Sequence, residues 1–132
     1  MILNCTNHTV TEKQIIMGII EPDKEDKEIL TKTITFEEIP DKKTLEKAAS
    51  LVASMVKKYN CKAGMIGGAP YLQGYLEKEL FDKGLKVAFA FSKRVSKEEH
   101  LPDGSVKKEM VFDSSNTLIK DAEGNIEIIS CE

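Results

Sequence analysis

An α/β fold with a mainly parallel sheet is predicted by three features of the sequence. Ala63 to Ile66 and Lys86 to Phe91 are apolar runs without alternation, as expected of strands covered on both faces. A helical pattern opened by Pro70 and closed by Gly84 lies between them, so the segment reads as a βαβ unit with parallel strands and a right-handed crossover. The last third instead carries two turn signals, Pro102-Asp103-Gly104 and Asp121-Ala122-Glu123-Gly124-Asn125, each flanked by β-favouring residues. Together these predict one α/β domain over 1–132. It has a Rossmann-like three-layer core over 1–92 and a β-hairpin extension over 93–132.

Taken in order, Met1 to Cys5 reads as a first strand broken by Thr6-Asn7-His8-Thr9. Thr11 and Gln14 have capping-box spacing, and Ile15, Ile16, Ile19 and Ile20 recur at helical intervals, which predicts a short helix from near Glu12 to Pro22. Asp23 to Glu28 reads as a solvated, charge-rich connection. Ile29 to Ile39, with Thr31, Thr33 and Thr35 alternating around Ile34, has β-favouring composition, as one strand or two extended pieces. Asp41 is the expected N-cap of the clearest helix, Lys42 to Tyr59. There Leu45, Ala48, Ala49, Val52, Met55, Val56 and Tyr59 share one face, and Asn60 supplies the stop. In the second helix Leu72, Leu76 and Leu80 line an apolar side. Hairpins are expected from Lys93–Glu99 with Ser105–Phe112, and from Thr117–Lys120 with Ile126–Ser130.

A chain of 132 residues with 41% hydrophobic content can bury a core without staples. Its formal net charge of -3 argues against a nucleic-acid duplex as partner. No apolar run approaches the roughly 18 residues that span a bilayer, and no signal-peptide pattern opens the chain, so a soluble, cytoplasmic protein without a membrane partner is expected. Cys5, Cys61 and Cys131 are odd in number and widely spaced, and with His8 and His100 they make no zinc pattern. Cys5 and Cys61 read as small core residues; a catalytic thiol at Cys5 would need His8 as its base.

Ligands of open parallel sheets bind outside the carboxyl ends of the strands. Three segments qualify: Thr6-Asn7-His8, Gly67-Gly68-Ala69-Pro70-Tyr71 and Ser92-Lys93-Arg94. If their strands are adjacent and parallel, the rim offers glycine N–H groups, hydroxyls, an amide, an imidazole and two cations, which suits a small phosphorylated ligand. Each part has a structural alternative. Gly67-Gly68 can be only a tight turn, and it matches neither the P-loop nor the dinucleotide glycine pattern. Lys93 and Arg94 can be a solvated hairpin start, His8 a capping or surface histidine, and Tyr71 either a base-stacking ring or one packed on its helix. No carboxylate pair, His cluster or Ser-His-Asp order is present, so metal-dependent hydrolysis and serine chemistry lack their parts. Binding, or catalysis by positioning and charge, remains.

Leu3-Asn4-Cys5-Thr6-Asn7-His8, Met65-Ile66-Gly67-Gly68-Ala69, and Ala90-Phe91-Ser92-Lys93-Arg94-Val95 leading into a Val111-Phe112 strand resemble the small stand-alone CRISPR-accessory proteins related to the CARF domains. Among these are ring nucleases, which cleave cyclic oligoadenylate second messengers of antiviral signalling. In place of an aromatic- and arginine-rich ending this chain has Asn116 to Glu132. The resemblance implies a homodimer holding a cyclic oligoadenylate across its two-fold axis, with metal-independent cleavage by an adjacent ribose 2′-hydroxyl and no cofactor. It implies His8, Lys93 and Arg94 as catalytic residues, and Thr6, Asn7, Gly67, Gly68, Ala69, Tyr71 and Ser92 as ligand contacts. The other readings open at this point are a non-catalytic nucleotide-binding or sequestering module, and a protein-interaction module using the C-terminal hairpins.

Overall fold

The computed structural model describes residues 1–131, with the side chains of all but Val111 and Phe112. One six-stranded sheet runs in the order β2-β1-β3-β4-β5-β6. Its strands are β1 (Ile2–Asn4), β2 (Ile19–Ile20), β3 (Ala63–Met65), β4 (Lys86–His100), β5 (Val106–Lys120) and β6 (Ile126–Ser130). The helices are α1 (Glu12–Ile16), α2 (Lys24–Ile34), α3 (Lys42–Lys58) and α4 (Pro70–Asp82). β2, β1, β3 and β4 are parallel, whereas β4, β5 and β6 form an antiparallel meander. The sheet is therefore mixed, and it curls into a half-barrel.

Strand alternation sorts the core onto two faces. Leu3, Cys5 and Val87 pack with Leu30 and Ile34 of α2, Val52 and Val56 of α3, and Leu72, Leu76 and Leu80 of α4. On the other face Ile2, Ile19, Ala63, Met65, Ala88 and Ile119 form a smaller cluster with Val10 and Ile129 beside it. Among the described residues, the five-residue α1 is the one helix on this second face, and the curl brings it to β5. Lys13 pairs with Asp113 at 2.7 Å, and the Thr117 hydroxyl donates to Met17 Sδ at 3.4 Å.

The caps expected from sequence form. Asp41 accepts from Thr44 N–H at 2.8 Å, Thr11 and Gln14 make the reciprocal capping box, and Pro70 opens α4. Three expectations change. Ile19 and Ile20 are not the last turn of α1: Gly18 at φ +89° ends that element, and the two isoleucines pair with Ile2 and Leu3 as β2. Asp23 to Ile34 is neither a solvated connection nor extended chain. Asp23 caps α2 by accepting from Asp26 N–H, and Asp26, Leu30 and Ile34 fall on one buried stripe that the threonine alternation disguises. The two C-terminal hairpins share β5, which runs on through position 116, and β4 runs from the sheet through position 92 into the first of them.

Beyond a bulge between Phe91 and Lys93, β4 and β5 continue as a ribbon in which Lys93, Lys97, Glu98 and Glu99 face Asp113, Glu109, Lys108 and Lys107. These opposite-charge rungs support a ribbon with little core beneath it.

Two packing details predict behaviour. A Cβ on Gly64 of β3 would stand 2.9 Å from Val56 Cγ2, so α3 approaches the sheet closely because this residue has no side chain. Gly64→Ala should lower stability by about 1–3 kcal/mol. Denaturant titration should show a smaller loss when the change is made in a Val56→Ala background. Asp26 is buried between α2 and α3, where the Tyr59 hydroxyl donates to it at 2.7 Å and Lys58 at 2.9 Å. These contacts hold its carboxyl below the ordinary 3.8. A depressed folded-state pKa contributes stability above the unfolded value and loses it as pH falls through the folded value. Asp26→Asn should therefore lower the melting temperature at pH 7, and the gap from the parent chain should narrow below about pH 4.

Candidate functional site

The rim begins where β1 ends. Asn4 is fully buried, and its side-chain oxygen accepts from Thr6 N–H at 3.0 Å and from the Thr6 hydroxyl at 2.6 Å. Its amide nitrogen donates to the His8 carbonyl at 2.7 Å and to Glu21 at 3.1 Å. Lys27 of α2 completes the knot, donating to the carbonyls of Thr6 (2.9 Å) and His8 (2.8 Å) and to Glu21 (2.8 Å). The other Glu21 oxygen accepts from Val10 N–H at 2.9 Å. The loop backbone is thus held from below, while the side chains of Asn7 and His8 are exposed.

β3 delivers the glycine turn beside this loop. A Cβ on Gly67 would lie in ordinary contact, 3.5 Å from Thr6 Cγ2, so the two loops adjoin. Gly68 has φ +98°, a conformation that requires glycine. Ala69, the N-cap residue of α4, makes no side-chain capping bond. On the far side β4 supplies Phe89, Ala90 and Ser92, and the Ser92 and Ser114 hydroxyls lie 2.8 Å apart across the bulge.

Two cavities flank the loop after β1. One, about 330 Å³, is lined by Thr6, Asn7, His8, Gly67, Gly68, Gln73, Phe89 and Ala90, with Ile34 and Ile66 at its base. The second, about 570 Å³, lies under α1 and is lined by Thr6, His8, Thr9, Thr11, Gln14, Met65, Ala90, Ser92 and Ser114. Thr6, His8 and Ala90 line both. Of the three strand-end segments, Thr6-Asn7-His8 lines the first cavity with Gly67-Gly68, and Thr6 and His8 line the second with Ser92, so the glycine turn and Ser92 stand on opposite sides of the loop after β1.

Other expected site residues lie elsewhere. Lys93 and Arg94 line neither cavity, because β4 continues past Ser92 and carries them onto the ribbon, where Lys93 faces Asp113. Tyr71 turns toward the α2–α3 connection, its ring 6.1 Å from that of Phe36, and lines a separate hollow with Ile39 and Pro40. A hollow of about 630 Å³ beside that connection is walled by Thr31 to Thr44 and receives no strand end. Ala69 caps α4 and lines neither strand-end cavity.

The charges near the rim are paired. Lys13, ahead of the Ser115 hydroxyl, holds the Asp113 carboxyl below its ordinary range. Burial pushes the Cys5 thiol up to about 12, with Cys61 adding to the shift, which leaves it protonated and unsuited to nucleophilic work. Among the described residues no group of three His, Cys, Asp or Glu side chains is placed to hold a metal ion. Sequence reasoning missed Asn4, Lys27, Gln73 and Ser114, and it saw Gln14 only as a cap. Lys27 sits in a run of charges that carries no signal of an inward-pointing residue.

These features define an α/β protein with a mixed sheet, whose candidate site lies where three parallel strands deliver their carboxyl ends. The chain belongs to the Uncharacterized protein MJ1673 family, whose model matches residues 1–115 and so takes in every candidate residue named above. Searches of curated proteins and of solved structures gave no match.

Removing the ammonium that holds the loop tests the knot. Lys27→Met should lower stability by about 1–3 kcal/mol. It should also speed hydrogen exchange at the amides of His8 and Val10 while leaving those of α3 unchanged. Unaltered exchange at the loop would show that Asn4 and Glu21 hold it without Lys27.

Proposed function

We propose that the protein binds a cyclic oligoadenylate at the strand-end rim and cleaves it without a metal, in CRISPR-type antiviral signalling. The observation that supports this most is the meeting of Thr6-Asn7-His8, Gly67-Gly68 and Ser92 around two adjoining cavities. On this reading the core is a Rossmann-like three-layer fold whose second helical layer is reduced to α1. The protein acts in the cytoplasm as a homodimer, its two rims facing a common axis.

The chemistry needs few parts. A phosphate sits at the Gly67-Gly68 turn, where the uncapped start of α4 adds its positive end. A ribose 2′-hydroxyl gives its proton to His8 and attacks the adjacent phosphorus. The bond from phosphorus to the 5′ oxygen breaks, that oxygen takes a proton from solvent while His8 releases its own to solvent, and a 2′,3′-cyclic phosphate and a 5′-hydroxyl are left. Lys93 and Arg94, standing off the cavities, serve the outer phosphates of the ring and not the scissile one.

One observation favours a sequestering module instead: the His8 imidazole makes no hydrogen bond among the described residues, so no neighbour orients it as a base. Incubation with cyclic tri-, tetra- and hexa-adenylate in EDTA separates the readings. Cleavage should fall at least about a hundredfold in His8→Ala with affinity retained. Binding without turnover in the parent chain would leave a sequestering module, and the absence of both would remove cyclic oligoadenylate from consideration.

A further inference from the structure

The cavity under α1 contains a side chain whose hydrogen bonding is half complete. Gln14 is 6% exposed, and its Oε1 accepts from Thr11 N–H at 3.0 Å as part of the capping box. Its amide nitrogen donates to no group among the described residues. Every fully enclosed side-chain nitrogen or oxygen among them has a partner, so this nitrogen keeps accessible surface, and Gln14 lines the cavity. The residue is held nine-tenths buried with this donor uncommitted, so an acceptor on a ligand in the cavity can take it.

The rest of the wall says which acceptor. Thr9, Thr11, Ser92 and Ser114 present hydroxyls, Met65 and Ala90 are apolar, and no Lys or Arg lines the space. A phosphate there would be uncompensated, whereas a planar, neutral heterocycle matches thioether and methyl surfaces beneath a polar edge. The neighbouring cavity has the glycine turn suited to an anion. Because Thr6 and His8 line both, one ligand can reach into each.

We infer that the cavity under α1 is a nucleobase subsite in which the Gln14 amide donates to a ring nitrogen or carbonyl of a purine, while the phosphate of the same nucleotide lies at Gly67-Gly68. Its Oε1 is engaged by Thr11 N–H, so the amide N–H donors are what Gln14 offers the base, and it reads an acceptor there. This rests on the reading of the rim as a nucleotide site, but not on ring cleavage.

The test follows the Gln14 side-chain amide resonances by NMR as adenosine 5′-monophosphate and, separately, ribose 5-phosphate are added. The base-bearing compound should move the Gln14 side-chain signals and both compounds the Gly67 and Gly68 amides. Gln14→Glu keeps the oxygen that caps α1 and deletes the donor. It should leave the melting temperature near that of the parent chain and weaken adenosine 5′-monophosphate about tenfold, with ribose 5-phosphate unaffected. Gln14 signals that stay still, or that move equally with both compounds, overturn the subsite. If they respond to the nucleotide while no cyclic oligoadenylate is bound or cleaved, the proposed function fails and the subsite stands.

Discussion

The arrangement depends most on the polar knot of Asn4, Glu21 and Lys27. A fully buried asparagine, a carboxylate and an ammonium meet where β1 gives way to its loop; Asn4, Lys27 and Glu21 each hold the loop by hydrogen bonds, and Glu21 also accepts from Asn4 and Lys27. Buried polar groups are tolerated only when paired, so the network admits few alternative paths for the chain between Cys5 and Val10. That fixes where Thr6 and His8 stand, and with them the partition between the two cavities. The loop is shaped by groups pointing away from the rim, which leaves its exposed side chains available to a ligand.

The two faces of the sheet are unequal. α2, α3 and α4 cover one with a continuous apolar cluster, and Gly64 lets α3 lie against it at close range. The opposite face has a five-residue helix, held by its capping box and by Lys13 on Asp113. Ile15 and Ile16 of that helix are exposed, so α1 contributes little burial of its own. The open space it leaves above Met65 and Ala90 is the larger strand-end cavity. A site placed on the thinly covered face has room for a ligand, and the helical face supplies the rigidity.

Much of the local structure was legible. Asp41 before an amphipathic run, Pro70 and Gly84 around a second one, and glycine-bearing turns at 104 and 124 each carry their own mechanism. The strand ends that line the two cavities were legible because a βαβ unit delivers its strand ends to one side of the sheet. Less legible were residues whose roles depend on distant partners. Lys27 looks like any solvated lysine until Thr6 and His8 turn their carbonyls toward it, and Ser114 reaches the site only because it pairs across a bulge with Ser92. Lys93 and Arg94 were expected both at a strand end and at the start of a hairpin strand, and the continuation of β4 along β5 carries them away from the cavities.

The sequence by itself determined the helices α3 and α4, the capping box of α1, the turns, and the glycine turn between β3 and α4. Each rests on contacts within a few residues or on a backbone conformation that one residue type prefers. Only the tertiary structure decided that Ile19 and Ile20 become a strand against β1, that a threonine-rich segment coils as α2, and that two hairpins merge into one meander. These choices are settled by pairing and burial across tens of residues, and a local pattern of apolar and polar side chains is compatible with more than one of them.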